Sequence, residues 1–171
     1  MSNYTPEIIA ALKQFYVALD SHINSIEKKN KARINCKKGC FSCCKDDLEV
    51  FGIEAEFIRK NQSEFLKNNS AAPRGACAFL DEEGGCRIYD SRPFVCRTHG
   101  VPIAYLQEDE MGEFELRDIC PLNKEGSPLE DLNADFVFQN NSWEEKLATL
   151  QIISDKGKMD RVLLRDLFEN R

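Results

Sequence analysis

Eight cysteines stand in this chain of 171 residues, and seven of them lie between Cys36 and Cys96. Four fall inside the run Cys36-Lys-Lys-Gly-Cys40-Phe-Ser-Cys43-Cys44, and Cys77, Cys86, Cys96 and Cys120 complete the set, with turn-forming residues such as Gly75, Gly85 and Pro121 beside them. The Cys40-x2-Cys43 spacing lets one tight turn aim two thiolates at one ion, as in zinc knuckles and ribbons, and it also occurs in iron–sulfur ligand runs. Eight thiolates suit two four-ligand sites, although one four-thiolate site with a separate pair and spares satisfies the same count. Adjacent side chains diverge in both helix and strand, which points Cys43 and Cys44 at different sites. The spacing does not say which of the other cysteines joins which. If the first run were helical, Cys36, Cys40, Cys43 and Cys44 would share a face at i, i+4, i+7 and i+8; Gly39 makes a loop equally acceptable.

Compartment decides what dense thiols do. The N-terminal sequence Met-Ser-Asn-Tyr-Thr-Pro-Glu has no basic segment followed by an apolar run, and no stretch approaches about 18 uninterrupted apolar residues, so neither a secretory signal nor a transmembrane helix is expected. A cytoplasmic protein is the expectation. There, thiols stay reduced, and a dense set binds metal or does redox chemistry more often than it forms disulfides. The 23 basic against 29 acidic residues give a net charge of −6, which argues against a duplex nucleic-acid binder and against an anionic membrane surface.

The string Gly85-Cys86-Arg87-Ile88-Tyr89-Asp90-Ser91-Arg92-Pro93-Phe94-Val95-Cys96-Arg97 carries further signal. Arg92 and Arg97 place two cations beside Cys96, where they would lower thiol pKa values and balance a cluster of thiolates. Ile88 and Tyr89 are expected in the core beneath. His99 lies three residues after Cys96, at a spacing suited to a ligand or a donor behind one, although a structural histidine is the commoner case. His22 falls in a helix and is expected to be unrelated.

With Cys36 to Cys44, Cys77 and Cys120, that string resembles the CxxCxxCC cysteine-cluster family, the YkgJ-like zinc- or iron-chelating proteins. The likeness spans about residues 36–120, and Cys-x-Ile-Tyr-x-x-Arg-Pro-x-x-Cys-Arg is its specific part. One departure is visible: three residues separate Cys36 from Cys40 where the family usually has two. The resemblance implies metal chelation by the cysteines. Some family members, such as the flagellin lysine methylases, are similar in this region and carry an iron–sulfur cluster, which does not by itself imply methyl transfer here.

The elements that must position these thiols read as follows. Thr5 as cap and Pro6 at the first position open a helix to about Lys29, with Ile8, Leu12, Phe15, Leu19, Ile23 and Ile26 forming one apolar stripe. Gly52 to about Leu66 reads as a second amphipathic helix on Ile53, Phe57, Ile58, Phe65 and Leu66. Two hairpins are expected: residues 78–80 with 87–89 around an acidic turn, and 101–107 with 113–118 around Met111-Gly112. Ser142 with Glu145 reads as a capping box opening a helix, and Met159, Val162, Leu163, Leu167 and Phe168 form a final amphipathic segment after Gly157.

The expected fold is a mainly helical α+β single domain over residues 1–171. An irregular cysteine-rich metal-binding centre at 36–120 holds one or two small hairpins, flanked by amphipathic helices at 5–29 and 142–169. The expected function is chelation of zinc or iron, the iron as ions or as an iron–sulfur cluster, through Cys36, Cys40, Cys43, Cys44, Cys77, Cys86, Cys96 and Cys120, with two centres and with Arg92 and Arg97 in support. A metallocluster enzyme modifying a protein or peptide, and a zinc-stapled module that docks a protein partner, are the alternatives. No dinucleotide fingerprint, phosphate-binding loop, zinc-protease helix motif or nucleophile elbow is present to name a substrate. Metal-free thiol redox catalysis ranks last, because no βαβ pattern surrounds Cys40 and Cys43.

Overall fold

The computed structural model describes residues 4–37 and 39–169. Helix α1 (Pro6–Lys29) begins as its sequence dictates: the Thr5 hydroxyl accepts from the Ile8 N–H at 3.4 Å and proline takes the first turn. Its stripe is buried at Leu12, Tyr16, Leu19, Ile23 and Ile26. Each such side chain contributes about 1.5–3 kcal/mol on burial, so packing rather than intrinsic propensity fixes this helix. Asn30 ends it, its side-chain amide donating to the carbonyls of Ile26 (3.0 Å) and Phe136 (2.8 Å).

After the first cysteine run come strand β1 (Glu49–Phe51) and helices α2 (Gly52–Asn61) and α3 (Ser63–Asn68). The single helix expected over 52–66 is thus broken, at Gln62, whose backbone leaves the helical region while its side chain donates to the Ser91 hydroxyl at 2.9 Å. Helix α2 is the shared wall of two hydrophobic cores. Ile53 and Phe57 join α1, Phe94, Ile103, Phe138 and Leu147; Ala55 and Ile58 join Leu66, Phe79, Ile88, Leu167 and Phe168. At its start Glu54, 3% exposed, accepts from the Phe51 N–H (3.2 Å), the Phe94 N–H (2.7 Å) and the Tyr16 hydroxyl (2.8 Å). One carboxylate therefore ties α2 to α1 and to the segment that carries Cys96. Burial pushes its pKa up, and these three donors pull it back.

Helix α4 (Phe94–Thr98) leads to the hairpin of β2 (Ile103–Asp109) and β3 (Gly112–Asp118), as expected, with Tyr105 opposite Leu116 and Glu108 opposite Glu113. Strand β4 (Phe138–Gln139) adds to β2 in parallel, and helix α5 (Asn140–Ser154) follows it directly. The hairpin expected at 78–89 is reduced to a single bridge between Leu80 and Cys86. Asp81 closes its turn instead, its carboxylate accepting from the N–H groups of Glu83 (3.0 Å) and Gly85 (2.6 Å). The capping box expected at Ser142 does not form: α5 starts two residues earlier, and the Ser142 hydroxyl donates to the Gln139 carbonyl.

The final amphipathic segment is not helical either. Lys156 (φ 52) and Gly157 (φ 89) take left-handed conformations that end α5. The chain then pairs as strand β5 (Arg161–Leu163) antiparallel to β1 and closes in a 3-10 turn at Leu164–Leu167. Burial of Leu164, Leu167 and Phe168 in the second core outweighs the few tenths of a kcal/mol per residue that helix propensity could offer. The observed class is α+β and mainly helical, with two small sheets. Among the described residues, no helix is long and apolar enough to cross a membrane.

Candidate metal centre

The first cysteine run is not a helix face but two consecutive turns. The Cys40 N–H donates to the Lys37 carbonyl and the Cys44 N–H to the Phe41 carbonyl, both at 2.9 Å. Gly39, at φ +86, takes the third place of the first turn, where a side chain would be strained. The run then meets the next cysteine by main chain: the Cys77 N–H donates to the Cys44 carbonyl at 3.1 Å. Cys86 is brought alongside by its bridge to Leu80, and the Leu80 N–H donates in turn to the Cys77 carbonyl. Cys96 sits within α4, and Cys120 opens a 3-10 turn at Pro121–Asn123.

Two residues that sequence reasoning passed over hold these pieces in place. Asn123 is wholly buried, and its amide donates to the Gly100 carbonyl (2.7 Å) and to the Cys36 sulfur (3.2 Å) while its oxygen accepts from the Asn35 N–H (2.7 Å). It therefore joins the Cys36 loop to the turn of Cys120, whose carbonyl accepts from the Asn123 N–H at 2.8 Å. Gly100 is required beside it: at φ +103, a Cβ there would stand 3.0 Å from the Cys36 sulfur. Arg165, from the last 3-10 turn, pairs with Asp46 and donates to the carbonyls of Ala72 (2.8 Å) and Ala76 (3.0 Å), clamping the loop that ends in Cys77. Neither Asn123 nor Arg165 lies in a pattern that spacing could single out.

The thiols act on one another. Loss of hydration pushes the Cys36 thiol up, the Asn123 hydrogen bond pulls it back, and Cys120, Cys40 and Cys43 add to the rise. Burial raises Cys77, with Cys86 adding to it, and raises Cys96, with Cys77 and Cys86 adding to it. Burial also raises Cys86, while Arg92 acts against the rise. At the junction, Cys44 donates its proton to Cys43. That hydrogen bond, ahead of the opposing burial and the help of His99, lowers Cys43 to about 6. The same bond raises Cys44, with burial next and then Cys43, Cys77 and Cys96. Cys36 thus feels Cys40, Cys43 and Cys120, and Cys44 feels Cys77 and Cys96, while Cys43 and Cys44 act most strongly on each other.

The arginines divide in role. Arg92 lies over the Tyr89 ring at 3.5 Å and acts against the burial that raises the Cys86 and Cys96 thiols. Arg97 is an anchor instead: it donates to Asp20 (2.6 Å) and to the carbonyls of Arg92 and Asp90, and it stacks on Tyr16. Ile88 is buried as expected, whereas Tyr89 is 60% exposed, with the Arg92 guanidinium 3.5 Å from its ring. His99 is exposed and faces Cys43. His22 stacks on Trp143, away from the thiols.

All eight cysteines are free. Among the described residues no three donor side chains stand at metal-holding separations. The donor chemistry fits both candidate metals, since clustered thiolates are ligands for zinc and for iron–sulfur clusters alike. A family model, CxxCxxCC, described as a "putative zinc- or iron-chelating domain", matches residues 35–121. The chain belongs to the CxxCxxCC family. The match opens one residue before Cys36 and closes one after Cys120, so it encloses every cysteine and covers about half of the chain. Metal binding is thus the property that the CxxCxxCC assignment supports. No curated protein and no solved structure gives a significant match.

Proposed function

We propose that this CxxCxxCC protein holds zinc or iron at two four-thiolate centres, Cys36, Cys40, Cys43 and Cys120 at one and Cys44, Cys77, Cys86 and Cys96 at the other. The observation that carries the reading is the hydrogen bonding that gathers the cysteine loops: Asn123 joins the Cys36 loop to the turn of Cys120, and the Cys77 N–H on the Cys44 carbonyl, with the Leu80–Cys86 bridge, joins the end of the first run to Cys77 and Cys86. Arg92 supports the second centre by offsetting thiolate charge, and Arg97 holds the loop that presents Cys96. Bound metal supplies the cross-link between turns that have little regular structure of their own. The protein is assigned to the cytoplasm, because thiolates that hold metal must stay reduced, and the net charge of −6 supports a ligand that is a cation rather than a nucleic acid.

The experiment is metal and acid-labile sulfide content after purification without oxygen, on the intact chain and on single variants. About two ions per chain are expected, as two four-thiolate sites require. Cys36→Ser and Cys120→Ser should each lose the same ion, and Cys77→Ser and Cys86→Ser the other. Colourless protein with zinc indicates a structural or binding role; iron with sulfide and a brown colour indicates clusters suited to electron transfer. Metal-free protein, or variants from both sets that lose the same ion, overturns the assignment.

A further inference from the structure

A cavity of about 230 Å3 opens among strands β1, β2 and β5 and helices α2, α4 and α5. Its volume lies below the roughly 300–1,000 Å3 of sites for drug-sized ligands, which sets its occupant at the size of a small metabolite. The inner wall is apolar, built by Phe94, Ile103 and Leu147. Both signs of charge line the rest: Glu49 on β1 and Glu144 on α5 against Arg161 on β5. Buried Asn140 donates to Glu144 at 3.2 Å and so orients its carboxylate. The Arg161 guanidinium lies over the Phe51 ring, 4.1 Å from its centroid, and its hydrogen bond to Glu144, at 3.5 Å, is at the outer limit for such a bond. Among the described residues no partner is seen for the Glu49 carboxylate or the Tyr105 hydroxyl, which lines the same space. Glu54 at the inner end is already committed to three donors and belongs to the scaffold.

We propose that this cavity binds a small zwitterion of amino-acid size, its ammonium group held by Glu49 and Glu144, its carboxylate by Arg161 and its apolar body against Phe94, Ile103 and Leu147. A carboxylate meets a guanidinium best in a bidentate pair, and the loosely held Arg161 keeps its donors free for one. An apolar wall with a few convergent polar groups is the usual make-up of a small-molecule site. The reading does not depend on the metal assignment, although His99 lines the cavity and also faces Cys43, which sets the pocket beside the first thiol set.

The test is calorimetric titration of the full chain, as purified, with L-leucine, L-methionine and L-phenylalanine, and with the amines and carboxylic acids that lack one of the two charged groups. At least one amino acid should bind saturably, and each analogue of it should bind at least tenfold more weakly. Glu144→Gln and Arg161→Lys should each weaken binding by a similar factor, with unchanged circular dichroism and metal content. The Glu144 side chain is 44% exposed, so its variant keeps the test open if the Arg161 variant misfolds. An amine that binds as tightly as its amino acid would mark a simple cation site and overturn the proposal, as would no binding by any of the three amino acids. Metal content, measured on the same samples, reports separately on the thiol centres.

Discussion

At the scale of single residues, Asn123 does the most to hold the first thiol set together. Asn123→Ala leaves the Asn35 N–H and the Gly100 carbonyl without their partner inside the protein, which should cost about 1–3 kcal/mol in urea unfolding. Competition with a chromophoric chelator should show the ion of Cys36 and Cys120 released first, while the other ion stays bound. Cys43 offers a second check. In metal-free protein its thiolate accepts the Cys44 proton and is lowered to about 6, so alkylation at Cys43 should rise with pH through about 6 and level off, whereas an ordinary thiol keeps accelerating towards about 8.5. The sign follows from the shift: a thiol lowered on folding favours the folded chain at pH values above its ordinary pKa, and that contribution disappears as the pH falls through about 6. Peptide mapping after brief alkylation at pH 7 should find Cys43 labelled ahead of Cys44.

At the scale of elements, the C-terminal 3-10 turn is fixed to the cysteine loop by Arg165. Arg165→Ala removes donors to the Ala72 and Ala76 carbonyls and the partner of Asp46; the loop ending in Cys77 should loosen and the second ion leave faster, with the first unaffected, as read by stopped-flow chelation. Lysine at this position should rescue only in part, since one ammonium cannot span the points that a guanidinium fork reaches. The same region shows what sequence could and could not reveal. Helix α1 was legible because cap, first-turn proline and stripe all agree locally, and the β2–β3 hairpin because Met111-Gly112 marks its turn. The segment 159–168 was not, because its apolar spacing suits a helix while its conformation is set by pairing with β1, which is distant in sequence. The thiols themselves were legible by type and count. The placing of the loops that carry them was not, because it depends on Asn123, Gly100 and Arg165, whose roles arise only from contacts across the chain.

At the scale of the whole molecule, α2 serves both cores, which couples the two cores through one shared wall. We propose that the chain unfolds as one cooperative unit. Calorimetry should show a single transition in the metal-loaded protein, shifted down by a chelator in proportion to the binding energy lost; two separated transitions would show two independent units. The β2–β3 hairpin stands at the rim of this unit, with β3 on the outer edge of its sheet and Phe114 and Leu116 exposed. An open edge with such side chains is a template for pairing with further copies of the chain. Glu113 and Glu115 alternate with those apolar residues, and Glu108 faces Glu113 across the strands. Facing carboxylates weaken the hairpin somewhat, yet a second copy laid along β3 would bring its own acidic side chains against them. That repulsion opposes edge-to-edge pairing at Glu113, while Glu115 is held by Arg117 on its own strand.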